Sequence, residues 1–184
     1  YHSTDTQNCK AFVSASVTIL KQSSRQAVNN RAAFAFAPDP ASGEIKMFVA
    51  CALYTGEKNA SQILLQFSPE GKYETEYHIP TGNTVYGIQN LDYDADHNEF
   101  WFSTYAPSEP YQPKELLYCV SGDLCEIKRK YRFSSPYGFE CLGKEGFYAS
   151  IQFGENGNRG GIAYRCNEEF FKTPKDETEA RIFV

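Results

Sequence analysis

The chain is predicted to be all-β: a propeller-like array of about three to four four-stranded antiparallel units, with a β-sandwich as the alternative. Three observations predict this. Helical periodicity is almost absent, and short runs rich in Val, Ile, Phe and Tyr recur between clusters of Gly, Pro, Asn and Asp, the pattern of strands joined by tight turns. Aromatic residues make up 15% of the 184 residues, far too much large apolar surface for a disordered chain. A motif also repeats. Tyr86-Gly87-Ile88-Gln89-Asn90-Leu91 is echoed 51 residues later by Tyr137-Gly138-Phe139-Glu140-Cys141-Leu142. Each copy leads through a polar turn into an aromatic strand, Phe100–Ser103 or Phe147–Ser150.

The elements follow in order. An apolar run over Ala11–Lys21 precedes the repeats. The first unit, 31–80, contains Ala32–Ala37, Lys46–Tyr54, Gln62–Ser68 and Tyr73–Ile79, broken at Ser68-Pro69-Glu70-Gly71. The second, 85–134, contains Val85–Tyr93, Glu99–Tyr105, Glu115–Val120 and Cys125–Phe133, with turns at Asp94–Asn98 and Ser121-Gly122-Asp123. The third, 137–184, contains Tyr137–Leu142, Gly146–Phe153, Gly161–Cys166 and Arg181–Val184. Gly, Asn, Asp and Ser at the breaks supply the backbone freedom and local hydrogen bonds that turns require. Gly87 and Gly138 mark close backbone approach on a crowded strand. The charged stretch Asn167–Glu179, with Pro174, reads as a loop or short helix of little core value. Repeats of this length suit propeller blades, within a single domain or propeller fragment spanning 1–184.

Composition excludes several functions. With 18 basic and 23 acidic residues the net charge is −5, the wrong sign for generic nucleic-acid binding, which needs cations to displace phosphate counterions. No apolar run reaches the ~18 residues of a membrane span. The chain opens on Tyr1 and its one methionine is Met47, so a processed product or a piece of a longer chain is expected. There are six cysteines. A three-residue turn at Ser121-Gly122-Asp123 sets Cys119 opposite Cys125, and directly opposed strand residues come close enough to bridge. A Cys119–Cys125 disulfide is therefore expected, with two reduced thiols as the alternative. A disulfide implies an extracellular or periplasmic location. Asn59-Ala60-Ser61 is a glycosylation sequon in a secretory setting. No cofactor motif is present.

Three sets of residues are candidates for chemistry. Arg31, Tyr86, Gln89, Asn90, Tyr137 and Glu140 fall on the inner strands of the units, where polar side chains converge on a ligand if the units surround a common centre. The competing reading is that they tie strands to neighbouring loops. Asp92, Asp94 and Asp96 alternate as oxygen ligands for calcium do, but His97 stands where an EF-hand needs Gly and Ser103 where it needs Glu. The run reads more simply as a polar hairpin turn. Lys128, Lys130 and Arg132 share one face of a strand, with Arg129 and Tyr131 on the other, as in a charged strand protected against edge pairing.

Thr81–Tyr105 resembles repeat units of β-propeller proteins, through Val85-Tyr86-Gly87-Ile88 and Phe100-Trp101-Phe102-Ser103. The same stretch is similar to β-rich C-terminal regions of secreted calcineurin-like phosphoesterases of bacteria. The second resemblance covers about 25 residues and lacks the Asp-x-His and Gly-Asn-His elements of the metal centre. It carries no catalytic residue over, and implies an accessory region.

These readings lead to an extracytoplasmic propeller-like module that binds a small polar ligand or another protein domain. Self-association through an open sheet edge is a further expectation, because three blades leave an edge uncovered. One alternative is a hydrolase or lyase acting on glycans or phosphoesters, with Glu140 as an axial carboxylate buried enough for general-acid work. Another is a structural repeat segment without a ligand.

Overall fold

The structure is a computed structural model that describes residues 33–51, 61–82, 87–104, 115–133, 138–155 and 158–172. It is all-β, with three antiparallel sheets formed by successive stretches of chain. The first holds β1 (Phe34–Pro38), β2 (Ile45–Cys51), β3 (Gln62–Phe67) and β4 (Tyr73–Ile79) in that spatial order. The second holds β5 (Ile88–Asp94), β6 (Glu99–Thr104), β7 (Leu117–Ser121) and β8 (Ile127–Tyr131), again in order. The third holds β9 (Phe139–Cys141), β10 (Phe147–Glu155) and β11 (Asn158–Cys166). One short helix follows, α1 (Glu169–Lys172). No helix among the described residues is long and apolar enough to cross a membrane.

Every strand pairs with the next in sequence, so each sheet is a simple meander. The first strands of successive sheets lie side by side, β1 beside β5 and β5 beside β9. The sheets also stack face to face, and the alternation of side chains along a strand explains how. In β6, Phe100 and Phe102 point towards the first sheet, where Phe100 meets Phe48 at 4.9 Å between ring centroids. Trp101 points the other way and packs on Phe147 of the third sheet at 4.8 Å. Both faces of the second sheet are therefore covered, and all six residues of β6 are buried. Two face-packed sheets, the sandwich alternative, do not describe this three-layer stack.

The first core contains Ala35, Phe48, Ala50, Leu64, Phe102, Tyr118 and Val120. The second contains Trp101, Leu117, Tyr131, Phe133, Phe147, Ala149 and Phe171. Phe171 corrects the reading of Asn167–Glu179 as a segment of little core value. It sits in α1, is 1% exposed, and touches Trp101, Tyr131, Phe139 and Phe147. Charge dominates the segment's composition, but one turn of helix turns the Phe170-Phe171 pair inward over the end of the second core.

The Cys119–Cys125 disulfide is also corrected. None of the four cysteines whose side chains are described, Cys119, Cys125, Cys141 and Cys166, is joined in a disulfide. The turn between β7 and β8 is longer than three residues. Ser121 N donates to Glu126 O at 2.9 Å, Leu124 N donates to Ser121 O at 2.8 Å, and Val120 faces Ile127. This register places Cys119 opposite Arg129. Leu124 adopts φ 60° at the turn, a conformation costly for a branched side chain, while its side chain fills the first core. The argument for an oxidising compartment that rested on this pair goes with it.

Turns pack on one another both within a sheet and between layers. Gly122 lies against the Asn98 side chain, and Gly143 against the Asp96 carboxylate, each so closely that a Cβ would overlap it. At Gly138 a Cβ would stand 3.0 Å from Ser150 Oγ, the close approach its place in the repeat suggested. Gly87 instead needs its φ of 68°.

Gly43 and Gly143 both have positive φ, but only Gly43 has open space where a Cβ would be. Gly43→Ala is expected to cost about 1 kcal/mol. Gly143→Ala is expected to cost about 1–3 kcal/mol, with crowding added to strain. Urea unfolding midpoints test the order; equal losses would mean that the Asp96 contact is not tight. A maleimide is expected to label exposed Cys125 in the native protein and buried Cys119 only after unfolding, since the reactive thiolate needs solvent access. Equal protection of the two thiols would overturn this assignment.

Candidate functional site

The aspartates of the Asp92–Asn98 run tie the second sheet to the third. Asp92 Oδ2 accepts from Cys141 N at 2.5 Å and Oδ1 accepts from Tyr93 N at 2.8 Å. Asp96 Oδ2 accepts from Lys144 N at 3.0 Å. Asp94 closes its own turn, accepting from Asp96 N and His97 N, with His97 Nδ1 at 2.7 Å. Burial raises the Asp92 carboxyl above its ordinary range, against the pull of its two backbone donors. His97 is raised by its hydrogen bond to Asp94. Among the described residues no group of three or more His, Cys, Asp and Glu side chains is arranged to hold a metal ion.

Beside this junction lies a buried charge network. Glu99 opens β6 on the same face as Trp101, so the strand's alternation drives its carboxylate between the second and third sheets. It is 3% exposed. Arg129 on β8 meets it through Nη2 at 2.5 Å, Lys128 reaches its other oxygen, and Cys119 donates Sγ–H to it at 3.1 Å. The Arg129 guanidinium also lies 5.4 Å from the centre of the Trp101 ring, within cation–π range. Its Nε stands 2.7 Å from Glu168 Oε1, close enough for an ion pair but not aligned as a hydrogen bond. Glu168 in turn accepts from Tyr131 Oη. Burial pushes the Glu99 carboxyl upward, but hydrogen bonds from Lys128, Arg129 and Cys119 outweigh it and hold it down at about 2. Burial and the neighbouring carboxylate raise the Cys119 thiol, so it remains protonated and donates.

A cleft of about 350 Å³ opens over this network, between the Asp94–Glu99 turn, the Gly143–Gly146 turn and the residues leading into α1. Its lining includes His97, Trp101, Arg129, Lys144, Asn167 and Glu168. The volume is that of a small-molecule site. Trp101 lines this cleft, and its Nε1 is buried with no hydrogen-bond partner among the described residues. A buried indole N–H ordinarily finds an acceptor.

The inner-strand candidates stand elsewhere. Arg31, Tyr86 and Tyr137 lie outside the described residues. Gln89 and Asn90 are half-buried on β5; Asn90 Nδ2 donates to Ser103 Oγ at 3.3 Å and Gln89 Nε2 approaches Ile88 O at 3.5 Å. Glu140 is exposed on β9, directly across from Tyr148. Of the sequence candidates Asp94 and, from the basic run, Arg129 line the cleft. Glu99, Lys144 and Glu168 were not singled out, and Trp101 was named only as part of a repeated strand. One signal for them was present: Arg129 and Tyr131 share the face of β8 opposite Lys128 and Lys130, and both turn inward.

Comparison with known protein families, curated proteins and solved structures finds no match for the chain. The resemblances noted above rest on Thr81–Tyr105 alone.

The Glu99 carboxyl sits below its usual 4.5 in the folded chain, so the unfolded chain binds its proton more readily. Its contribution to stability is present above pH 4.5 and is lost as pH falls towards 2. Glu99→Gln is expected to cost about 2–3 kcal/mol at neutral pH, because Arg129 loses its buried partner. The variant is also expected to show a shallower loss of urea stability between pH 4.5 and 2. Parallel pH profiles for the two proteins would refute the assigned pairing.

Proposed function

We propose that the chain is a propeller-like binding module that takes a small polar ligand in the cleft between its second and third sheets. The observation that carries this is the cleft itself, lined by Trp101, whose buried indole N–H has no partner among the described residues. Three successive meanders with adjacent first strands and stacked faces support the propeller-like description. Such stacking leaves clefts where the turns of neighbouring sheets diverge, and this one is framed by two such turns and the approach to α1. Pre-positioned polar groups around a pocket cost little ordering when a ligand binds. The exposure of Glu140 favours binding over general-acid chemistry at that residue. Exposed Phe34, Phe36 and Ile45, on the face of the first sheet turned away from the second, favour docking to another domain as a second reading. An extracytoplasmic location is proposed from the sequence alone.

A thermal-shift screen of diverse small polar molecules tests the proposal. At least one is expected to raise the unfolding midpoint by mass action on the native state. That shift is expected to vanish in Asn167→Trp, which fills the cleft from an exposed rim position. An empty screen, or hits indifferent to the substitution, would count against this site.

A further inference from the structure

The cleft's polar groups divide between those already paired and those left over. Each acidic side chain in the lining has a partner. Asp94 holds His97, Glu99 holds Arg129 and Lys128, Glu168 holds Arg129 and Tyr131, and Glu145 holds Arg165 at 2.6 Å. The Arg129 guanidinium is likewise engaged. The Lys144 ammonium has no partner among the described residues, and neither does the Trp101 indole N–H. His97 is bonded to Asp94 through Nδ1, leaving Nε2 to carry a second proton when the ring is charged. The donors left over belong to one cation, one titratable ring and one buried N–H.

Resting on the binding-module reading, we propose that the cleft takes a small oxyanion, a ligand bearing a carboxylate or phosphate group, with Lys144 as its counter-charge. Charge-assisted hydrogen bonds from an ammonium to such a group are short and strong. The net charge of −5 does not oppose this at close range. Each lining acid has a partner within a few ångströms, and charges farther than a Debye length are screened. The Lys144 side chain is exposed and its backbone N–H supplies the bond to Asp96, so its replacement leaves the junction intact.

Trp101 is the chain's single tryptophan, so its indole N–H gives one identifiable cross-peak in an amide correlation spectrum. Titration with inorganic phosphate and with malonate is expected to move that peak and raise the unfolding midpoint, at constant ionic strength set with chloride. Lys144→Ala is expected to weaken the binding about tenfold, the order of one lost charge-assisted bond; Lys144→Arg is expected to restore most of it. An indole peak that neither anion moves would overturn the oxyanion assignment, as would one moved equally in Lys144→Ala. Movement with neutral glycerol or cationic ethylammonium but not with the anions would overturn the assignment and leave the binding module standing. Silence towards probes of every charge would remove both.

Discussion

The junction between the second and third sheets depends on placing one carboxylate, that of Glu99, where water is excluded. A lone buried charge would be prohibitively costly, so the surrounding structure must answer it. Arg129, Lys128 and Cys119 do so from β8 and β7. Arg129 is then fixed over Trp101, and Glu168 is drawn to the far side of the guanidinium. Because Trp101 anchors the second core and Glu168 directly precedes α1, the same interaction positions the aromatic lid formed by Phe170 and Phe171. Replacing such an ionic cluster with apolar groups often leaves a protein equally stable, whereas removing one partner is costly. Its value here lies in fixing register and orientation as much as in net stability.

The second sheet is a wall with two working faces, and this explains the amino-acid order in β6. A strand covered on one side alternates apolar and polar residues. Here the alternation separates two apolar sets: Phe100 and Phe102 serve the first core, Trp101 the second. The Asp92–Asp96 run is a consequence of the same layering. Neighbouring sheets present backbone N–H groups at their turns that no strand partner takes up, and backbone donors seek acceptors. Asp92 and Asp96 supply them to Cys141 and Lys144. What looks in one dimension like an alternating set of metal ligands is, in three, a pair of clamps between layers and one turn-closing Asp.

Much of the strand content was legible because it depends on local pattern. β4 occupies the predicted Tyr73–Ile79, and β3 and β6 begin where expected; Pro69 and Gly71 set off β4, and the Asp94–Asn98 turn sets off β6. The hairpin at Cys119–Cys125 was misread for a physical reason. Turn length depends on whether Leu124 stays at the surface or reaches the core, and that is decided by a sheet distant in sequence. The cleft was hidden for a similar reason. Its lining comes from four separated stretches, none of which carries a motif, and Glu99 looks in sequence like an ordinary charged residue closing a turn.

Sequence alone determined the all-β class, the succession of short antiparallel strands and the likeness between units, since period-two alternation and turn chemistry act over a few residues. Only tertiary structure decided which strand faces meet, that Cys119 lies beside a carboxylate rather than another thiol, and that Phe171 belongs to a core. Those outcomes depend on burial, and burial is a property of what lies across the interface, which the local chain cannot encode by itself.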